Sequence, residues 1–490
     1  MRLRTRPHRS VDASPRLGIK AVLIATMAYC IITRIWQQST LISQYAEIFS
    51  QETWGRENYY MSNHAPNSEE TVLSTKAPPS SSFDYAAFWQ NALHEALANQ
   101  EQLHPPADVT KCPKVFLYQN LSTSLRDDPN KLLSIETVFG EDFSRIGSFR
   151  TSCTVCRGTH HHSLARIVEY RLRLQQQTSS HAECFTSDPN QADLFFVPIF
   201  TQPKKTHKWH SICNNTPHLV DKIRNELLYF NSSTACKHIF AVSKSFGSFS
   251  SAGTACKGWW YDPVPPFDTA LRVGYSGFSL KPDALPNLFS VPYPSTVHGK
   301  LEPYNREKEY LMLFTGQDNH GDTEVRRTIV SQCRGYQNAS KCHALTSITH
   351  SGDPRLFQKQ NTVFCLEPVG DSPWRKSISD SIGFHCIPVF FSERTDDVPP
   401  FSMSHWKKQG RVLVPRQAFV EGKIDLYRLL SSIPDQLLRI LQETVETYSH
   451  QYLYNTKHDP GDALSLMFVG LWNHSLTMQQ NGVCLASNLE

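Results

Sequence analysis

Residues 364–391, reading FCLEPVGDSPWRKSISDSIGFHCIPVFF, constrain this chain more than any other stretch. They run from an apolar strand through a polar turn into a basic helix start, then out into a second apolar strand. Strands at residues 363–366 and 386–391 with a helix between them are most economically a parallel pair joined by a crossover. Gly370 lets the backbone turn, Asp371 or Ser372 caps, and Pro373 suits a first helical position, so the helix is predicted to start where the first strand ends. Arg375 and Lys376 in that first turn oppose the helix macrodipole. This is a poor arrangement for stability alone and a good one if an anion sits on the free N–H groups. A diphosphate fits. A plainer reading stands beside it, in which Lys376 and Asp380 form an ordinary i,i+4 surface pair and Ile378 and Ile382 are the buried stripe of the same helix.

The chain has 490 residues, which leaves room for two domains of about 150–200 residues behind an N-terminal region. Its 49 basic and 45 acidic residues leave a net charge of +4, most of it carried by Arg2, Arg4, Arg6, Arg9, Arg16 and Lys20. The folded part is therefore close to neutral and carries no nucleic-acid footprint. Residues 17–36 are the one segment suited to a bilayer, with an uncharged centre at 21–33 and arginines before it, the pattern of a positive-inside signal anchor. No clean small-residue cleavage site follows, which favours an anchor over a cleaved signal peptide. Thirteen cysteines include Cys30 in that segment and leave an even twelve beyond it, as in a disulfide-forming lumenal chain. Cys333 and Cys342 are the best local pair. Asn120, Asn214, Asn231, Asn338 and Asn473 each open an Asn-x-Ser/Thr triplet, an acceptor for N-glycosylation on a lumenal chain.

Residues 37–110 turn polar and read as a stem, with one helical stretch at 85–100 expected to dock on the first domain. Strands and helices then alternate, which predicts an α/β fold. Strands are expected at 114–118, 194–200 and 238–242, with a helix at 164–175. A Pro-rich hinge at 282–303 leads to a second alternating unit with strands at 310–314, 363–366, 386–391 and 411–415, and a long amphipathic helix at 433–451. The predicted divisions are a cytoplasmic tail 1–16, the anchor 17–36, the stem 37–110, a first Rossmann-like unit 111–300, a second unit 301–450 and a C-terminal tail 451–490. Two such units facing one another make a cleft at their strand ends. Cys153, Cys156 and the histidines at 160–162 lack a second well-spaced ligand pair, so disulfides and a solvated loop are preferred to zinc. Asp193, ahead of a strand, reads as a turn cap rather than a base. Trp259 and Trp260 suit either a sugar ring or core packing.

The 364–391 block resembles the most recognisable segment of the exostosin-like glycosyltransferases, family 47, in which FCL, a Pro, Gly-Asp-Ser-Pro, a basic pair, an acidic residue and GCIPV follow in this order. Residues 192–200 (ADLFFVPIF), 238–247, 310–316 followed by Val325, Arg326 and Cys333, and 399–406 resemble further blocks of that family. The likeness covers roughly residues 114–444. Gln317 stands where the family shows Arg, His385 where it shows Gly, and Ser245 and Phe246 where it commonly carries an acidic residue before Gly.

The resemblance implies a GT-B arrangement and an inverting transfer of sugar from a nucleotide-sugar donor, a UDP-sugar by preference, to a polysaccharide or glycoprotein glycan. It also implies a type II Golgi membrane protein. The donor would be held by Gly316, Glu367, Gly370, Asp371, Ser372, Arg375, Lys376 and Asp380, with Asp380 toward the ribose. No D-x-D motif stands alone, Asp396 and Asp397 being read as loop solvation, so no metal is required. The catalytic base is expected from the first unit and is not assigned to a residue. The rival expectation, prompted by Gln317 and the 245–247 loop, is a catalytically weak relative that binds glycan or supports a partner glycosyltransferase.

Overall fold

The computed structural model describes residues 83–98, 112–122, 163–177, 184–199, 219–245, 265–275, 287–298, 308–336, 341–346, 354–370, 372–396, 406–457 and 459–484. All belong to the unit Lys76–Glu490. The anchor and tail segments, Asp371, Asn214, Asn338, Cys153, Cys156, the histidines at 160–162, Trp259, Trp260, Phe246, Gly247 and Asp397 lie outside the described residues, as does the side chain of Asp396.

Two all-parallel sheets follow one another along the chain. The first is built from β1 (Val115–Leu117), β2 (Phe185–Thr186), β3 (Leu194–Val197), β4 (His238–Ser245), β5 (Leu271–Tyr275) and β6 (Leu288–Ser290), in the order β2-β1-β3-β4-β5-β6. The second is built from β7 (Tyr310–Thr315), β8 (Cys342–Leu345), β9 (Thr362–Glu367), β10 (Ile387–Phe390) and β11 (Val412–Leu413), in the order β11-β10-β9-β7-β8. Continuous apolar strands such as LFFV in β3 and IPVF in β10 are buried throughout. That is what a parallel sheet covered on both faces requires. The main helices are α1 (Tyr85–Ala98), α2 (Leu164–Gln177), α3 (Leu219–Glu226), α4 (Thr323–Gly335), α5 (Lys376–Gly383), α6 (Leu426–Ser431), α7 (Asp435–Tyr448) and α8 (Ala463–Gln480). No helix among the described residues is long and apolar enough to cross a membrane.

The chain ends cross over, against expectation. Helix α1 packs on the second sheet, not the first: Tyr85, Trp89 and Ala96 join the core of Met312, Phe364 and Leu441. The Trp89 Nε1–H donates to the Leu429 carbonyl at 3.0 Å. Spacing of 4 and 7 residues showed an apolar stripe but not the surface that would cover it. The stretch read as a C-terminal tail instead carries α8, whose Leu464, Met467, Phe468 and Leu471 are buried in the core of the first sheet. Burying side chains of this size contributes about 1.5–3 kcal/mol each, before the entropy of ordering them. Apolar residues on most sides of α8 hide its helical period. Asp462 caps it, accepting from the Ser465 N–H at 2.9 Å, and pairs with Arg171 of α2 at 2.6 Å. The Pro-rich hinge also departs from expectation, because β6 within it is a strand of the first sheet.

Disulfides join Cys112 to Cys184, Cys236 to Cys484, Cys333 to Cys342 and Cys365 to Cys386. The expected Cys333–Cys342 pair links α4 to β8. Cys236–Cys484 fixes the end of α8 to the first unit. Asp193 is structural, its carboxylate accepting from the Lys114 N–H at 2.8 Å. His385 sits at φ 53°, a left-handed conformation natural to Gly, and its Nε2 lies 3.1 Å from Ser449 Oγ.

His238, at the start of β4, is fully buried. Its Nδ1 donates to the Thr234 carbonyl at 2.8 Å, so Nε2 accepts from the Tyr118 hydroxyl at 2.9 Å. Burial pulls its pKa from 6.5 to about 3, and the ring stays neutral in the fold. The unfolded chain then binds the extra proton below pH 6.5, so stability falls as pH drops through the window between about 6.5 and 3. Stabilities from urea unfolding at pH 6.5 and 5 should differ by about 1.6 kcal/mol, and His238→Gln should remove most of that difference.

Candidate functional site

Strand β7, the first of the second sheet, lies between β8 and β9, so the chain steps from it to β8 on one side and then crosses over to β9 on the other. In open parallel sheets such a switch point opens a crevice outside the carboxyl ends of the strands. Here the carboxyl ends that bound it are Thr315 with Gly316 at the end of β7 and Glu367 through Gly370 at the end of β9, the two strands being in register at Phe314 and Leu366. Gly316 holds φ 141°, which side-chain-bearing residues rarely adopt. A Cβ on Gly370 would stand 2.3 Å from Arg375 Cδ and 3.4 Å from Arg326 Nη2, while one on Gly316 would stand 3.4 Å from Arg326 Nη1 and 4.0 Å from Arg375 Nη1. Two guanidiniums therefore pack around two glycines at the switch point. Arg326 of α4 ties the two loops together, its Nε–H donating to the Val369 carbonyl at 3.1 Å and its Nη1 to the Gln317 carbonyl.

Glu367 lies behind Arg375 and is buried. Its Oε2 accepts from Arg375 Nη2 at 3.0 Å. Its Oε1 accepts from Lys359 Nζ at 2.8 Å, Ser377 Oγ at 2.9 Å and Ser381 Oγ at 2.7 Å. Burial alone pushes this carboxyl up; Lys359 and Arg375, with the hydrogen bonds from Lys359 and Ser381, outweigh it and hold the group below the usual carboxylate range. Glu367 is thus an ionised anchor for Arg375, facing away from solvent.

The helix starts later than the sequence suggests. Arg375 is extended at the N-cap of α5 and Lys376 is its first residue. Trp374 causes the delay: its ring is buried against Phe390 and Tyr452, with centroids 5.7 and 5.4 Å away, so residues 372–374 bend inward instead of forming a first turn. Ser372 is buried, its hydroxyl donating to the Trp374 carbonyl. Lys376 and Asp380 do form the i,i+4 pair, at 2.7 Å, but it is nearly buried. Asp380 Oδ1 also accepts from Ser295 Oγ at 2.9 Å, the Thr296 N–H at 2.8 Å and Thr296 Oγ1 at 2.9 Å. This carboxylate therefore joins α5 to the segment after β6, and five short contacts fill it where a ribose hydroxyl was expected. Of the sequence-derived donor residues, the fold brings Gly316, Gly370 and Arg375 to the crevice, places Glu367 behind it, buries Ser372, and turns Lys376 and Asp380 toward the first unit. Sequence reasoning missed Lys359, which sits in a 3₁₀ turn before β9, and gave Arg326 no role. Lys359 lies in no pattern that marks chemistry, whereas Arg326 stood in one of the blocks that resemble the family but was assigned no task. Among the described residues no cluster of His, Cys, Asp or Glu suits a metal ion. Asn120, Asn231 and Asn473 are exposed.

The model of the Exostosin GT47 domain matches residues 110–423. The chain belongs to the exostosin GT47 family. Among its relatives, the Arabidopsis thaliana protein named "Probable xyloglucan galactosyltransferase GT13" is 25% identical over 310 residues, covering 57% of this chain and 63% of that protein. The Arabidopsis "Xyloglucan galactosyltransferase MUR3" is 28% identical over 193 residues, covering 34% and 29% respectively. A rice protein (Oryza sativa subsp. japonica) named "Probable glucuronosyltransferase Os01g0926700" is 23% identical, covering 58% and 70%. The alignments therefore span less than two thirds of the two Arabidopsis proteins. Among solved structures, an alpha-glucosyltransferase in complex with UDP-glucose and DNA containing an abasic site aligns with a TM-score of 0.29 at 9% identity over 66% of this chain and 84% of that one. Helices α1 and α6 to α8 fall outside the family match.

Gly370→Ala should force Arg375 aside and cost about 1–3 kcal/mol of stability, read as a lowered urea midpoint. Gly335→Ala, where a Cβ meets nothing within 4 Å, is the control and should cost nothing.

Proposed function

We propose that this chain is a glycosyltransferase that binds the diphosphate of a nucleotide-sugar donor in the crevice between β7 and β9 and passes the sugar to a polysaccharide or glycan acceptor. The observation that carries this reading is the convergence of Arg326 and Arg375 on Gly316 and Gly370 at the switch point. The glycines let a ligand approach the backbone, and the guanidiniums supply positive charge where the leaving diphosphate gains negative charge. Membership of a family whose relatives are named as galactosyl- and glucuronosyltransferases supports the same assignment. Two parallel sheets in series support the GT-B arrangement, in which the first unit takes the acceptor and supplies the base for inversion. A UDP-sugar donor, and chemistry independent of a divalent metal, complete the proposal.

Four disulfides among the described residues support an oxidising lumenal compartment, as for a Golgi chain held by the 17–36 segment. The expected donor set is narrowed. Gly316, Gly370 and Arg375 stay in direct contact with the donor, and Arg326, buried and bonded to the Val369 and Gln317 carbonyls, holds the two loops beside them and adds its charge from behind. Glu367 and Asp380 act as supports. A second reading, a glycan-binding relative without turnover, is favoured by Gln317 at the position of the family's Arg.

Purified protein should bind UDP, and Arg375→Ala should weaken that binding by roughly tenfold or more, the cost of losing a charge-assisted contact. Undiminished UDP affinity in Arg375→Ala would remove the diphosphate from this crevice. Supplied with a panel of nucleotide sugars, the wild type should release nucleotide from one of them equally well with and without a chelator. Binding without any release would favour the second reading.

A further inference from the structure

The buried group behind Arg375 holds two cations to one carboxylate. Lys359 is 1% exposed in its side chain, Glu367 1% and Arg375 18%, so only the arginine reaches the crevice. Lys359 Nζ donates to Glu367 Oε1 at 2.8 Å, to the Ser377 carbonyl and Oγ at 3.0 Å each, and to Ser381 Oγ at 2.6 Å. A buried lysine at this depth is costly unless its charge is met, and Glu367 meets it.

The division of Glu367 has a consequence for Arg375. Three donors fill Oε1, which leaves Oε2 alone for the guanidinium, a single contact at 3.0 Å rather than the two-pronged pairing that arginine and carboxylate prefer. The same lysine ties the carboxylate to successive turns of α5 through Ser377 and Ser381. Without Lys359, Glu367 would lose its counter-cation and could turn both oxygens on Arg375, drawing the guanidinium inward and neutralising it.

We propose that Lys359 is a positioning residue for donor binding: by taking up one oxygen and the charge of Glu367, it keeps Arg375 oriented and cationic toward a nucleoside diphosphate. This rests on the diphosphate site proposed above. Lys359 acts through Glu367 and Arg375, and its removal should be felt by phosphate rather than by the base or sugar.

The test is calorimetric titration of the full chain with UDP and, separately, with uridine. Lys359→Met should weaken UDP by roughly tenfold and leave uridine unchanged. The double variant Lys359→Met/Glu367→Gln should regain most of the loss, because the amide oxygen can still accept from Arg375 without cancelling its charge. If Lys359→Met does not fold, Lys359→Gln replaces it with the same expected outcomes. UDP affinity unchanged in the single variant, an equal loss for UDP and uridine, or a double variant as weak as the single would each overturn the proposal. Arg375→Ala separates the two layers. If it weakens UDP while Lys359→Met does not, the diphosphate site stands and the role of Lys359 falls; if it has no effect, the site itself falls, and the role of Lys359 with it.

Discussion

The second unit is organised around a carboxylate buried at the end of its middle strand. Glu367 finishes β9, and what it gathers comes from separate parts of the chain: Lys359 from the turn before the strand, Arg375 from the cap of α5, and Ser377 and Ser381 from the helix itself. Leaving such a charge with one partner missing costs about 3–5 kcal/mol, so the turn, strand and helix are bound to a single arrangement. The Cys365–Cys386 bridge joins β9 and β10 close by, so the carboxylate sits in a rigid frame. The switch point in front of it therefore inherits a preset Arg375.

A second carboxylate, Asp380, does comparable work between the units. Its partners after β6 are Ser295 and Thr296, and Lys376 completes its charge. The exchange of terminal helices reinforces this connection, with α1 on the second core and α8 on the first. Tyr454, in the segment leading to α8, donates its buried hydroxyl to the Pro292 carbonyl at 2.9 Å. The segment that follows β6 is thus held from both sides. Walls tied in this way hold Arg326 and Arg375 aligned, which would lower the ordering cost of the diphosphate binding proposed above.

The alternation of apolar strands and helices was legible because parallel strands such as LFFV and IPVF are continuous apolar runs with turn residues at their ends. Strands β2, β5, β6 and β8 were not read: β2 and β6 are only two and three residues long, β5 carries Arg272 at its second position, and β8 has His343 within its four residues. The helix after β9 was found but placed three residues early. Gly-Asp-Ser-Pro is a strong local start signal, and burial of Trp374 overrode it. Arg375 and Gly370 were legible from the same segment. Lys359 was not, because a lysine next to a glutamine-rich turn looks like any solvated surface until the fold sets it against Glu367, eight residues further on.

The sequence by itself determined the parallel α/β class, the segment after β9 with its glycine and arginine, and an even set of cysteines beyond the N-terminal apolar stretch. These depend on local period, turn chemistry and composition, which act over a few residues. Tertiary structure decided which carboxylate anchors Arg375, that Asp380 spans the units instead of facing a ligand, and which core each terminal helix covers. Those are choices among partners distant in sequence, such as Asp380 with Thr296 or α8 with the first core, and an apolar stripe or a charge carries no record of the surface that will meet it.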